Sequence, residues 1–180
     1  MTGGKASTRK LPSRDECIAL LQESGCSDGV VRHCVAVSEL AVRIAKRCAA
    51  DVQLVEVGSL LHDVGRCRSH GLDHAVVGVE IAKEKKLPES IVRIIERHIG
   101  GGITKKEAKR LGLPEKDFLP KTLEEKIVSH ADKLISDVRR TTIKESVGRF
   151  VREGLTDSAL RILKNHEELS ALCRMNIDDL

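Results

Sequence analysis

The chain has 180 residues, 41% hydrophobic and 32% charged, with a formal net charge of +4. That length favours one domain with a sizeable interior, and the balance reads as soluble and globular. Phe118 and Phe150 are its only aromatic residues apart from histidine, which predicts an aliphatic core and excludes an aromatic platform for stacking single-stranded nucleic acid.

Basic residues alternate with acidic ones through most of the chain, as on solvated helix faces. Such a surface tolerates an anionic substrate without indicating a nucleic-acid partner. Six cysteines are present, none in C-x-x-C spacing, which argues against a structural zinc site. The polar N-terminus and the lack of a long apolar run predict neither a signal peptide nor a membrane span. The expectation is a cytoplasmic protein with reduced thiols, in which Cys34 and Cys48 are small core residues.

Met1 to Leu11 are rich in Gly, Ser, Thr and Lys, so residues 1–12 read as a mobile tail and 13–180 as one helical domain. Ser13-Arg-Asp-Glu16 is a capping box opening a short helix to about Ser24. Asp28 is placed to cap the next helix. There Val30, His33, Val37, Leu40, Ala41 and Ile44 recur at helical spacing and turn His33 toward the apolar face. A third helix is expected from about Val52 to Val64, followed by a polar loop over Gly65 to Asp73. Helices then run from about His74 to Lys86 and from Pro88 to Ile99, ending at Gly100-Gly101-Gly102. Thr104-Lys-Lys-Glu107 and Thr122-Leu-Glu-Glu125 are further capping boxes, the latter opening a helix through Asp132 to about Val138. Thr142 starts another helix, and Thr156 is placed to cap a last one ending near Met175. No alternating Val/Ile/Thr segment suggests a strand, so the fold class is all-α.

The histidines carry the chemistry. His33 lies on one inward face, His62-Asp63 ends a second apolar helix, and Asp132 lies within a third. Each is a residue type that avoids burial unless paired or metal-bound. Imidazole and carboxylate donors suit a divalent Mn, Fe, Co, Ni or Zn ion.

With L-L-H-D-V-G over Leu60 to Gly65 and A-D-K-L over Ala131 to Leu134, following His33, the sequence resembles the HD superfamily of metal-dependent phosphohydrolases. The resemblance covers about residues 30–137. It implies a compact helical domain in which His33, His62, Asp63 and Asp132 hold a metal that activates water, with His62 and Asp63 at the catalytic centre. His74 and His98 look like the extra ligands of two-metal subgroups, including HD-type cyclic-dinucleotide phosphodiesterases and bacterial diadenosine-tetraphosphate hydrolases. By that resemblance Asp63 bridges one ion on His33, His62 and Asp132 and another on His74 and His98. The chain departs from the phosphodiesterase subgroups at His98-Ile99, where adjacent histidines are common, and at Arg66, where Lys is common. The departures point away from a cyclic dinucleotide.

Arg66, Arg97 and Lys105 are the candidate phosphate-binding residues, with Lys106 as a further cation. His70 and His130 read as supporting or surface groups, and His166 as ordinary exposed helix. The expected partner is a phosphorylated small molecule, nucleotide-derived, hydrolysed at an ester or anhydride. A non-catalytic regulatory HD module binding nucleotide or metal is one alternative, and processing of RNA ends at the same site is another. Weak charge and few aromatics argue against autonomous nucleic-acid binding.

Overall fold

A computed structural model describes residues 10–180. Most of the expected tail, residues 1–9, lies outside the described residues. Leu11 is half-buried against the core. The described residues form an all-α fold: α1 (Arg14–Glu23), α2 (Asp28–Cys48), α3 (Val52–Leu61), α4 (His74–Glu84), α5 (Glu89–Arg97), α6 (Lys105–Arg110), α7 (Leu123–Lys133), α8 (Ile143–Arg152) and α9 (Thr156–Cys173). One short antiparallel ribbon, β1 (Ile135–Ser136) with β2 (Arg139–Arg140), follows α7.

Helix starts follow local chemistry. Capping boxes form at Ser13/Glu16, Thr104/Glu107, Thr122/Glu125 and Thr142/Glu145, each pairing two backbone N–H groups that a helix end leaves without partners. Three starts differ from expectation. Ser27, not Asp28, caps α2, its hydroxyl accepting from the Val30 N–H. Pro88 caps α5 from outside the helix. Thr156 is the first residue of α9 rather than its cap.

Two ends differ as well. α3 stops at Leu61, and a 3-10 turn over Val64–Cys67 follows where α-helix and then open loop were expected. α7 ends at Lys133, because Ile135 pairs with Arg140 in the ribbon and Asp137 takes a left-handed φ of 55° at its turn.

Two aliphatic clusters make the main interior. One joins α2, α7 and α9 through Val37, Ile44, Ile127, Val128 and Leu169. The other joins α1, α3, α4 and α5 through Leu21, Leu60, Leu61, Ile81 and Ile95. Phe118 fills a third against Ile99 and Ile103. Cys34 is buried as expected, but Cys48 is disulfide-bonded to Cys173 rather than reduced. The helices carrying them, α2 and α9, bring their Cα atoms to 4.9 Å, within disulfide reach. No described helix is long and apolar enough to cross a membrane.

Candidate metal centre

Five helices deliver six donors to one point. His33 projects from α2, His62 caps the C-terminal end of α3 with Asp63 next to it, His74 opens α4, His98 caps the C-terminal end of α5, and Asp132 sits in the last turn of α7. The Asp63 side chain stands between two histidine pairs. Its Oδ2 lies 3.9 Å from His33 Nε2 and 3.7 Å from His62 Nε2. Its Oδ1 lies 3.2 Å from His74 Nε2 and 3.4 Å from His98 Nε2. Asp132 Oδ1 closes the first pair, 3.1 Å from His33 Nε2 and 3.5 Å from His62 Nε2.

The tautomers are set from behind. Nδ1–H of His62, His74 and His98 donates to the carbonyl three residues earlier, on Ser59, Gly71 and Ile95, at 2.6, 2.6 and 2.7 Å. Nδ1–H of His33 donates to the Asp137 carbonyl at 2.8 Å. A carbonyl only accepts, so in each ring Nε2 is the nitrogen left to face the centre with a lone pair. Among the described residues two groups pack tightly enough to hold a cation: His33, His62 and Asp132, and His62, Asp63 and His98, with potential ligand atoms within 4.8 Å of one another in each.

Charge and burial conflict here in the way a metal resolves. Burial opposes the ionised form of Asp63, yet His62, His74 and His98 hold its carboxyl well below the usual range. Asp132 behaves likewise: burial opposes it, and Lys133, His33 and His62 prevail. Burial pushes His98 down to about 4 against the pull of Asp63, so its imidazole is neutral near neutral pH. His62 Nε2 and Asp63 Oδ1 are buried polar atoms with no hydrogen-bond partner. Such orphans are costly, and a divalent cation among them satisfies both. The residues present therefore fit a metal.

Of the cations expected to grip phosphate, Arg66 is at the centre. Its Nε donates to Asp63 Oδ2 at 2.6 Å. Arg97 is not brought there: one guanidinium nitrogen bonds both oxygens of buried Glu125, tying α5 to α7. Lys105 is exposed at the start of α6, its backbone N–H donating to Asp117, and it does not line the cavities around the centre. Sequence reasoning passed over Lys133, which pairs with Asp132 and lines those cavities. Its signal was in the A-D-K-L segment itself.

His70 is exposed, whereas His130 and His166 are buried and hydrogen-bonded to each other at 3.0 Å, with His166 Nε2 reaching Asn176. The exposed-helix expectation for His166 fails because α9 buries the face of Ile162, His166, Leu169 and Cys173, a helical spacing visible in the sequence. Two glycines are there for packing. A Cβ on Gly65 would stand 1.9 Å from the His74 carbonyl oxygen, and one on Gly101 would stand 2.3 Å from the Ser158 carbonyl oxygen.

The HD domain family model matches residues 30–137. Over all 180 residues the chain is 44% identical to a Picrophilus torridus protein named tRNA (cytidine(56)-2'-O)-methyltransferase, of which it covers 52%. Thus the chain spans about half the length of that relative. An uncharacterized protein of Methanocaldococcus jannaschii is 48% identical over 156 residues, with 84% of this chain and 88% of that one covered. Among solved structures, the HD domain of the L. monocytogenes phosphodiesterase PgpH in complex with cyclic-di-AMP has the same fold. It superposes with a TM-score of 0.54 at 18% identity, over 88% of this chain and 94% of that one.

Proposed function

The chain belongs to the HD domain family, and from that premise we propose that it is a metal-dependent phosphohydrolase acting on an ester or anhydride of a nucleotide-derived substrate. The observation that carries this reading is the placement of Asp63, with one carboxylate oxygen toward His33 and His62 and the other toward His74 and His98. His33, His62 and Asp132 would hold one divalent ion and His74 and His98 a second, with Asp63 between them. Such ions lower the pKa of a bound water toward neutrality and offset charge developing on a phosphoryl group.

The chain's own residues set the conditions. Four imidazoles are anchored through Nδ1 to backbone carbonyls and turn their Nε2 atoms toward the centre. Asp63 and Asp132 stay ionised well below neutral pH, so both remain ligands at any working pH. Arg66 stands beside Asp63 with a planar guanidinium suited to two oxygens of one phosphate.

A second reading, processing of RNA ends at the same site, draws on the Picrophilus torridus relative, whose name places it on tRNA. Imidazole and carboxylate donors suit a metal and a phosphate better than a methyl donor, and about half of that relative lies outside the match. We therefore assign methyl transfer to none of the residues described. A purely regulatory role is disfavoured because the complete donor set is present.

Metal analysis of the purified protein, followed by a panel of phosphomonoesters, phosphodiesters, nucleotides and short RNAs, tests the proposal. Divalent-ion-dependent hydrolysis, abolished by chelation and by Asp63→Ala, is the expected result. A protein that binds no divalent ion at saturating concentration would overturn it.

A further inference from the structure

The candidate centre lies between two cavities of different character. One, of about 490 Å3, opens on the His74 and His98 side, and Leu72, Ile103, Leu111 and Leu155 make much of its wall. The other, of about 430 Å3, opens on the His33 side and is lined by Ser136, Asp137 and Arg149 among other polar groups. Arg66, Asp132, Lys133 and Phe150 line both. The two are therefore chambers meeting at the centre, each within the size of a small-molecule site.

We propose that the substrate is a phosphodiester whose phosphorus sits at the centre, with a nucleobase-bearing arm in the apolar chamber and a polar sugar or sugar-phosphate arm in the other. This rests on the hydrolase reading above and goes further by choosing diester over monoester. A terminal phosphate has one arm and leaves one chamber unused, whereas a diester fills both. The flat, weakly polar face of a base matches the aliphatic wall and the Phe150 ring, while Glu153 and Ser158 on the same wall offer hydrogen-bonding groups for its edge. The hydroxyls and charge of the second arm match Ser136 and Arg149.

Charge favours the same choice. A monoester brings close to two negative charges, a diester one. The two cations nearest the centre, Arg66 and Lys133, are already engaged by Asp63 and Asp132. Hydrolysis joins the water oxygen to phosphorus and breaks one ester P–O bond. The water proton ends on the leaving oxygen, giving a phosphomonoester and an alcohol.

Calorimetric titration of the Mn2+-loaded protein with a diadenosine dinucleotide carrying one phosphorothioate linkage, and with AMP, tests the assignment by binding alone. The dinucleotide should bind about tenfold more tightly. Leu72→Arg and Leu155→Arg, exposed substitutions on two different segments, should each weaken it about fivefold or more while the melting temperature holds. In a parallel assay, kcat/KM for thymidine 5'-p-nitrophenyl phosphate should exceed that for p-nitrophenyl phosphate by about tenfold. AMP binding as tightly as the dinucleotide, or both arginine variants binding it unchanged, would overturn the two-chamber assignment and leave the hydrolase reading standing. Absence of turnover on every ester, with the binding preference intact, would overturn the hydrolase reading and keep the assignment.

Discussion

His74 and His98 point their Nε2 atoms at each other across 2.9 Å. Each has committed its Nδ1 proton to a carbonyl, and Asp63 Oδ1 stands 3.2 and 3.4 Å from the pair. Two bare imidazole nitrogens this close repel, and a shared cation turns the repulsion into ligation. We expect metal analysis to find two equivalents in the saturated protein, one in His98→Ala and none in Asp63→Ala. A single equivalent in the unaltered protein would mean that this pair holds only a proton.

Removal of metal should lower stability by a definite amount. An ion that binds only the folded state adds about 2.7 kcal/mol when present at a hundred times its dissociation constant. Chelation should therefore lower the melting temperature of the unaltered protein and leave that of Asp63→Ala unmoved, as scanning calorimetry with and without EDTA would report.

Gly65 bears on the same site from below. The 1.9 Å between its notional Cβ and the His74 carbonyl oxygen leaves no room for a methyl group, and the obstacle is backbone. Gly65→Ala must push α4 away from the turn after Asp63. We expect a loss of about 2–3 kcal/mol in denaturant unfolding, together with loss of the ion on His74 and His98. Retention of both ions would show that α4 shifts without carrying His74 with it.

Arg97 should matter for folding rather than for substrate. It and Glu125 are largely buried, with side chains 15% and 3% exposed, and pair at 2.9 Å, with Glu96 a more distant second partner of Arg97 at 3.9 Å. Removing Arg97 leaves the buried Glu125 carboxylate with backbone N–H partners but without the cation, so Arg97→Ala should cost about 3 kcal/mol. Urea titration would show the loss, while KM for any substrate found should stay near that of the unaltered protein.

Glu107 supplies an acid-sensitive contact. Burial raises its pKa, but hydrogen bonds from Thr104 and the Arg161 guanidinium outweigh it and take the carboxyl from 4.5 to about 2. The folded state thus holds this proton more weakly than the unfolded state does. Its stabilisation is complete above about pH 4.5 and disappears as pH falls toward 2. Glu107→Gln should lower stability at neutral pH and flatten the decline over that window, as urea midpoints at several pH values would show.

What was legible in the sequence was what local pattern encodes. Helical spacing put His33, His62 and Asp132 on apolar faces, and the capping boxes placed the starts of α1, α6 and α7. What stayed hidden depends on docking between distant segments. Glu125 lies 28 residues from Arg97, and the Cys48–Cys173 bond needs the ends of α2 and α9 side by side. His166 is an intermediate case. Its burial was written in the Ile162, His166, Leu169, Cys173 spacing, but a polar residue on such a stripe is read as exposed until its partners, His130 and Asn176, are known.

The four imidazoles do not share one means of support. Those of His62, His74 and His98 lean on carbonyls three residues back, so each ring's aim is settled as soon as its own turn of chain forms. His33 leans on Asp137, 104 residues away at the tip of the β1–β2 ribbon. The candidate centre therefore has three self-aimed imidazoles and one aimed from a distance. Disturbance of the ribbon should loosen His33 alone, lowering affinity at the ion it shares with His62 and Asp132 while the His74 and His98 position keeps its geometry. If the proposed ions bind, the ribbon would work as an adjusting screw, through which sequence drift far from the motif tunes one of them without altering any of the six donor residues.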